Sequence, residues 1–371
     1  MDKIEDEDII RDIAAADKLL IVAAAGLSIS IDEPNNVYHS KSDFKTHYPQ
    51  VARYGYSTAY EAMGLSRDES VPIEIRKAYT FRHFLNMRFN FKPTAGYTWL
   101  KELADTFPPG NTFVWTSNVD GCFERSGFDS SSVYTTQGEM NKLQCARLGC
   151  GNVWNCEEQM RAIDAASPNG VLTDLLLLPV CSMCGSTETL PNLRGGDWFI
   201  HSPYKDVSLR LMEWLDICTE VGQNVAIIEV GVGPNTPVVT RIPACSFANA
   251  VQAGGGSVVY LRVNPDKPEQ GRNENPLPSV KFVRWRQSWT CLEPLVNRVV
   301  SIRRASQSTG DAFAQQVASS ESAPVDMNKP LRNSQDVNDN DVHEEHRLRE
   351  RNYWRDAYHR LLESLDTPRL R

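Results

Sequence analysis

A chain of 371 residues with 41% apolar side chains has the material for a large α/β domain plus a smaller insert or a tail, and is too apolar for global disorder. Its formal net charge of -8 argues against broad phosphate binding and so against a nucleic-acid partner, and no apolar run approaches membrane-spanning length. Nine cysteines, with two close pairs among them, suit a reducing compartment and a metal site better than a disulfide framework, and the acidic start is neither a signal peptide nor an Arg-rich transit sequence, so cytosol or nucleus is the expected location.

Ile9, Ile10, Ile13 and Ala14 recur at helical spacing and predict a first helix from about Glu5 to Ala16. Leu19 to Ala23 reads as a buried strand running into the small-residue turn Ala24-Ala25-Gly26-Leu27-Ser28. Residues 36–95 are rich in aromatics and Arg, with Pro72 to Phe91 helical. A helix over Tyr97 to Phe107 precedes a strand at Thr112 to Thr116. Residues 140–200 carry the cysteine pairs and, with 36–95, are expected to form a smaller module over the sheet. A helix from Ser208 to Val221, strands at Val225 to Val230 and Val258 to Val263, and a weaker strand at Lys281 to Val283 complete the pattern.

Such alternation predicts an α/β fold: a Rossmann-like doubly wound parallel sheet with a smaller zinc-binding and helical module inserted, spanning residues 1–300. In such sheets the ligand sits beyond the carboxyl ends of the strands. Gly26, Asn118 and Gly231 each fall just past a strand end, so three separated motifs should meet at one crevice. After about Arg304 the composition turns to Ser, Gln, Asn and Asp, predicting a disordered linker over 301–341. Over 342–371, Leu348, Trp354, Tyr358, Leu361, Leu362 and Leu365 fit one face of a terminal amphipathic helix.

Cys145-x₄-Cys150 and, about thirty residues on, Cys181-x₂-Cys184 have the layout of a closed four-thiolate zinc site, with Cys156 as the alternative to Cys150. Four thiolates leave no open position for water, so the metal is expected to be structural. Cys122, Cys218, Cys245 and Cys291 read as small buried residues, Cys122 being close enough to Asp120 to note. Ser117-Asn118-Val119-Asp120 follows a strand, where Asn and Asp are ordinary turn formers when taken alone. Gln137-Gly138 sits in a second polar turn. A carboxamide orients a hydroxyl but takes no proton near neutral pH.

The order Ala25-Gly26-Leu27-Ser28, Trp115-Thr116-Ser117-Asn118-Val119-Asp120, Tyr134-Thr135-Thr136-Gln137-Gly138 and then Cys145 resembles the NAD-consuming sirtuins. The likeness covers roughly residues 8–290 and looks nearest to the macrodomain-linked, class M branch. Gly127-Phe128-Asp129, Arg82-His83 with Arg88, and Gly231-Val232-Gly233 with Asn235-Thr236-Pro237 add to it. The resemblance implies NAD as co-substrate, bound by Ala24, Ala25, Gly26, Ser28, Ser117, Asn118, Asp120, Gln137, Gly231, Val232, Gly233, Asn235 and Asn264. It implies that Asp120 accepts from the nicotinamide carboxamide, and that Asn118 holds the ribose or an ordered water. Cys145, Cys150, Cys181 and Cys184 would hold Zn²⁺.

Three departures matter. Ala24 replaces the family's first glycine, which requires a backbone conformation that tolerates a Cβ. Asp32-Glu33-Pro34-Asn35 stands where sirtuins carry an Arg loop, so no NAD-contacting Arg is assigned there; Tyr38 and Phe44 are weak candidates for its aromatic. Sirtuin deacylases also carry a His where this chain has Gln137. A lost general base costs about 10²–10⁴ in rate, so the expected reaction is transfer of ADP-ribose to a protein rather than deacylation.

Class M resemblance implies mono-ADP-ribosylation, a lipoyl-carrier protein as acceptor and a macrodomain hydrolase as partner. No segment after residue 304 is apolar enough to be that hydrolase, so it is expected on a separate chain. NAD glycohydrolase activity, weak deacylation or a catalytically inactive NAD or ADP-ribose sensor are the alternatives. His83 and Arg88 either line the acceptor side of the cleft or satisfy polar groups within the helical insert. Arg194, in Leu190-Pro191-Asn192-Leu193-Arg194, either meets an acidic acceptor or forms a surface salt bridge.

Overall fold

The computed structural model describes residues 7–28, 40–196, 198–219, 222–233, 239–265 and 275–318. Helix α1 (Glu7–Ala15) leads into strand β1 (Lys18–Ala23) and the short 3₁₀ turn Ala25–Leu27. Helices α2 (Lys41–His47), α3 (Pro49–Ala52), α4 (Ile73–Leu85) and α5 (Ala95–Ala104) follow. Strand β2 (Thr112–Thr116), helix α6 (Cys122–Arg125), strands β3 (Val133–Thr135), β4 (Gly138–Cys145) and β5 (Val153–Asn155), helix α7 (Glu157–Ala165) and strand β6 (Thr189–Leu193) come next. The chain then runs through α8 (Lys205–Cys218), β7 (Asn224–Val230), α9 (Arg241–Ala253), β8 (Ser257–Val263), β9 (Lys281–Trp285) and α10 (Leu292–Ala318).

Six strands form one parallel sheet in the order β3-β2-β1-β7-β8-β9. Counted along the chain, this is the doubly wound order in which the winding reverses between the first and fourth strands, here β1 and β7. Period-2 alternation sends Leu19, Ile21 and Ala23 to one side, against α1, α5 and α10, and Leu20 and Val22 to the other, against α8 and α9. The central strands β1, β7 and β8 are thus buried on both faces, as a parallel sheet requires.

The two inserts share a core. Phe81 and Leu85 of α4, Leu143 of β4 and Met160 and Ile163 of α7 pack together, while Phe44, Tyr48, Val51, Ile75 and Tyr79 fill the space among α2, α3 and α4. Strands β5-β4-β6 form a small antiparallel sheet within this module.

One expectation is corrected. Residues 301–318, read as linker, continue α10 to Ala318. The helix is anchored by Leu295, Val296, Val299 and Val300, and Arg303 reaches the carbonyls of Ala14 and Ala16 at 2.8 Å. The remainder of the predicted linker and the amphipathic segment 342–371 lie outside the described residues. No described helix is long and apolar enough to cross a membrane.

Candidate functional site

The end of β1 and the end of β7 touch. Gly26 N–H donates to the Gly231 carbonyl at 3.0 Å, and a Cβ on Gly26 would lie 2.7 Å from Gly231 Cα. Gly231 has φ +65, the left-handed region in which glycine is unstrained. Ala24 is extended, with φ -142 and ψ -172, so the alanine in place of the family's first glycine carries no strain. The N–H groups of Ala25 and Gly233 have no acceptor among the described residues, so the switch point offers two backbone donors.

The turn after β2 closes on this first turn. Ser117 N–H donates to Ala23 O at 3.1 Å, and Thr116 Oγ1 accepts from Asn118 N–H at 3.0 Å. Ser28 Oγ donates to Asp120 Oδ2 at 2.6 Å, and the other Asp120 oxygen caps Cys122 N–H at 2.9 Å. Asn118 Nδ2 donates to Ala24 O at 3.2 Å and to the Tyr97 hydroxyl at 2.9 Å. Tyr97 and Ser28 hydroxyls are 2.6 Å apart.

These contacts fix the direction of a hydrogen-bond chain. Ser28 has one hydroxyl proton and gives it to Asp120, so Tyr97 donates to Ser28 and accepts from Asn118. Burial, and then the Asp120 charge, raise the Tyr97 phenol well above its ordinary range, which keeps it a neutral donor. Both Asn118 N–H bonds are spent within this chain. Its Oδ1 accepts from none of the described residues. Ser28, Asn118 and Asp120 are all buried, and Tyr97 fully so.

Tyr97 was not singled out by the sequence reading. A lone tyrosine on the apolar face of a helix reads as core, and its only distinguishing mark is a hydroxyl that a buried site must satisfy.

Gln137 lies beside the same turn. Thr135 is paired with Thr116 across β3 and β2, Thr136 N–H donates to Thr116 O at 2.9 Å, and Met140 N–H donates to Val119 O at 3.0 Å. Gln137 thus sits between two backbone bonds to the segment 116–119, and is partly exposed. The following Gly138 has φ +89, and a Cβ there would lie 2.1 Å from the Asn192 carbonyl. Gln137 O accepts from Arg194 N–H at 3.0 Å, and the Arg194 guanidinium lies over the Phe199 ring at 4.7 Å. The end of β6 therefore joins the Gln137 turn.

Gly231, Val232, Gly233 and Asn264 stand together at the ends of β7 and β8. Asn264 Nδ2 donates to the Val232 carbonyl. Asn235 and the segment Asp32 to Tyr38 lie outside the described residues. Phe44 is wholly buried against Tyr48 and Tyr79 in the helical insert, which leaves it no part in the crevice.

His83 belongs to the insert's interior. It stacks on Tyr79 at 5.4 Å and meets Tyr48 OH at 3.3 Å, and burial lowers its pKa to about 4. Arg88, by contrast, reaches the site turn: a Cβ on Gly121 would lie 2.0 Å from its Nη1.

Cys145, Cys150, Cys181 and Cys184 bring their sulfurs within 4.8 Å of one another, with separations of 3.6 Å for Cys145–Cys184 and 3.7 Å for Cys150–Cys181. A tetrahedron of Zn–S bonds of about 2.3 Å separates its sulfurs by about 3.8 Å, so the set fits zinc. Cys156 is fully buried in the core shared by α4 and α7, where burial raises its thiol to about 12. It takes no part in the cluster. Cys122, Cys218, Cys245 and Cys291 are buried and lie outside the cluster.

No protein-family model matches the chain. A probable bifunctional ADP-ribose hydrolase/ADP-ribosyltransferase of Fusarium oxysporum f. sp. cubense is 31% identical over 269 residues, 68% of this chain and 41% of the relative. The chain thus spans about two fifths of that relative's length. An NAD-dependent protein deacylase of Trypanosoma brucei brucei is 26% identical over 195 residues, 52% of this chain and 66% of the relative. Among solved structures, a Sir2 homologue studied as a mutant in complex with ADP-ribose superposes with a TM-score of 0.50 and 21% identity, covering 81% of this chain and 98% of that one. The parallel sheet and its superposition on that Sir2 homologue show that the chain has a sirtuin-like fold.

Proposed function

We propose that this protein is an NAD-dependent protein mono-ADP-ribosyltransferase of the class M sirtuin type. The observation that carries this reading is Gln137: the turn bonded to Thr116 and Val119, on either side of Asn118, carries a carboxamide where a deacylase needs an imidazole. NAD supplies the electrophilic ribose carbon, and breaking its bond to nicotinamide gives an oxocarbenium-like centre that needs positioning and electrostatic support rather than a base.

In this reading the chain's own groups divide the work. Ala24, Ala25 and Gly26, with Gly231, Val232, Gly233, Asn235 and Asn264, hold the dinucleotide's adenosine and phosphate half. Ser28 and Tyr97 fix Asp120 and Asn118 in one orientation. Asp120 accepts from the leaving carboxamide, and Asn118 Oδ1 accepts from a ribose hydroxyl or an ordered water. Ser117 lines the same turn. Gln137 orients the ribose or the incoming acceptor without removing a proton.

The Fusarium relative's name, which joins an ADP-ribosyltransferase to an ADP-ribose hydrolase, supports both the transfer reaction and a hydrolase as functional partner. A lipoylated carrier protein is the proposed acceptor. Nicotinamide release from NAD tests the reading, measured with and without that carrier. Wild type should release nicotinamide and Asn118→Ala should not. No release from a folded wild-type protein would leave an NAD or ADP-ribose sensor in its place.

A further inference from the structure

Beneath the Gly231-Val232-Gly233 turn lies a charged cluster that the proposed chemistry does not use. Glu229 on β7 stands opposite Arg262 on β8, on the sheet face covered by α9, and Arg241 is the first residue of α9. All three side chains are fully excluded from solvent. Arg241 Nε donates to Glu229 Oε1 at 2.9 Å. Arg262 Nε forms an ion pair with the same oxygen at 2.9 Å, and the Tyr260 hydroxyl donates to Glu229 Oε2.

Burying such ions carries a desolvation cost that their mutual attraction often fails to offset, and apolar replacements are frequently as stable. The question is what the cluster holds. Arg241 Nη2 donates to the Val232 carbonyl, as does Asn264 Nδ2. Two inward donors therefore draw that carbonyl toward the cluster. A planar trans peptide places the next N–H on the opposite side. Gly233 N–H is thereby directed away from the cluster, and it has no acceptor among the described residues.

We propose that Glu229 and Arg241 are positioning residues: they lock the Val232–Gly233 peptide so that its N–H is presented to the anionic diphosphate half of the ligand. The ligand's identity rests on the NAD reading above. The cluster is buried and reaches the turn at the Val232 carbonyl, so it should act on affinity and leave the bond-breaking step alone.

The test uses the full chain with ADP-ribose as the probe. Arg241→Lys keeps the charge but loses the fork that spans Glu229 and Val232. It should weaken ADP-ribose binding in calorimetry roughly tenfold, the effect of about one charge-assisted hydrogen bond. It should raise KM for NAD by a similar factor, with kcat for nicotinamide release unchanged. Glu229→Gln serves as a second variant with the same expected split. In wild type, ADP-ribose should slow hydrogen exchange at the Gly233 amide. Folded variants that bind ADP-ribose like wild type, or ADP-ribose binding without Gly233 protection, overturn this inference alone. A wild-type protein that binds neither ADP-ribose nor NAD overturns the dinucleotide reading, and this inference with it.

Discussion

Ser28 Oγ donates to Asp120 Oδ2 at 2.6 Å across 92 residues of sequence, joining the turn after β1 to the turn after β2. A hydroxyl given to a buried carboxylate is worth about 1.5–3 kcal/mol. Ser28→Ala should therefore slow nicotinamide release by roughly 10- to 100-fold. The far-UV spectrum should stay native, because the bond closes a site rather than a core. Steady-state kinetics on the purified variant checks this.

The contact between Gly26 and Gly231 is a matter of backbone, not of flexible side chains. Gly26→Ala would place a Cβ 2.7 Å from Gly231 Cα, and overpacking of that kind costs about 1–3 kcal/mol. Calorimetric unfolding should show a lowered Tm, and NAD affinity should fall with it. An unchanged Tm and affinity would mean that β1 and β7 do not meet as described.

The four-cysteine cluster holds the strand that begins at Gly138, next to Gln137. Elemental measurement should find one zinc per chain, and Cys181→Ser should lose it. Because structural zinc contributes folding energy outright, the variant should lose protection in hydrogen exchange over β4–β6 while the parallel sheet keeps its own. Activity should fall because the Gln137 turn is no longer held.

Burial takes the His83 imidazole to about 4 from an ordinary 6.5. The folded chain keeps the ring neutral where the unfolded chain takes up a proton. This contribution is whole above about pH 6.5 and is lost as pH falls toward 4. At one pKa unit per 1.36 kcal/mol, it should make the protein about 2 kcal/mol less stable at pH 5 than at pH 7. Denaturant unfolding at both values, compared between wild type and His83→Phe, measures it; the variant should lose that part of the slope.

Much of the parallel sheet was legible because its strands are short apolar runs with turns at their ends, as at Thr112–Thr116. The small antiparallel sheet was not: Gly138–Cys145 does not alternate in burial, and polar residues such as Asn141 and Gln144 are turned inward. The Ser- and Gln-rich stretch from Ser301 looked like linker, yet α10 carries it as a continuation of a helix already anchored at Val299 and Val300. In the site, Asn118, Asp120 and Gln137 stood out as motif residues. Tyr97 did not, and neither did the charge cluster, although Glu229 and Arg262 inside apolar strands were a readable signal that something buried must pair with them.

In the proposed function, Gln137 is the residue that turns this site from deacylation to transfer. The most direct measurement incubates the protein with NAD labelled in its adenylate and a lipoylated carrier, alongside an acetyl-lysine peptide. The account predicts carrier-bound label in step with nicotinamide release, an intact peptide, and detectable deacylation only in Gln137→His. Deacylation of the peptide by wild type, with no label on any protein, would contradict it.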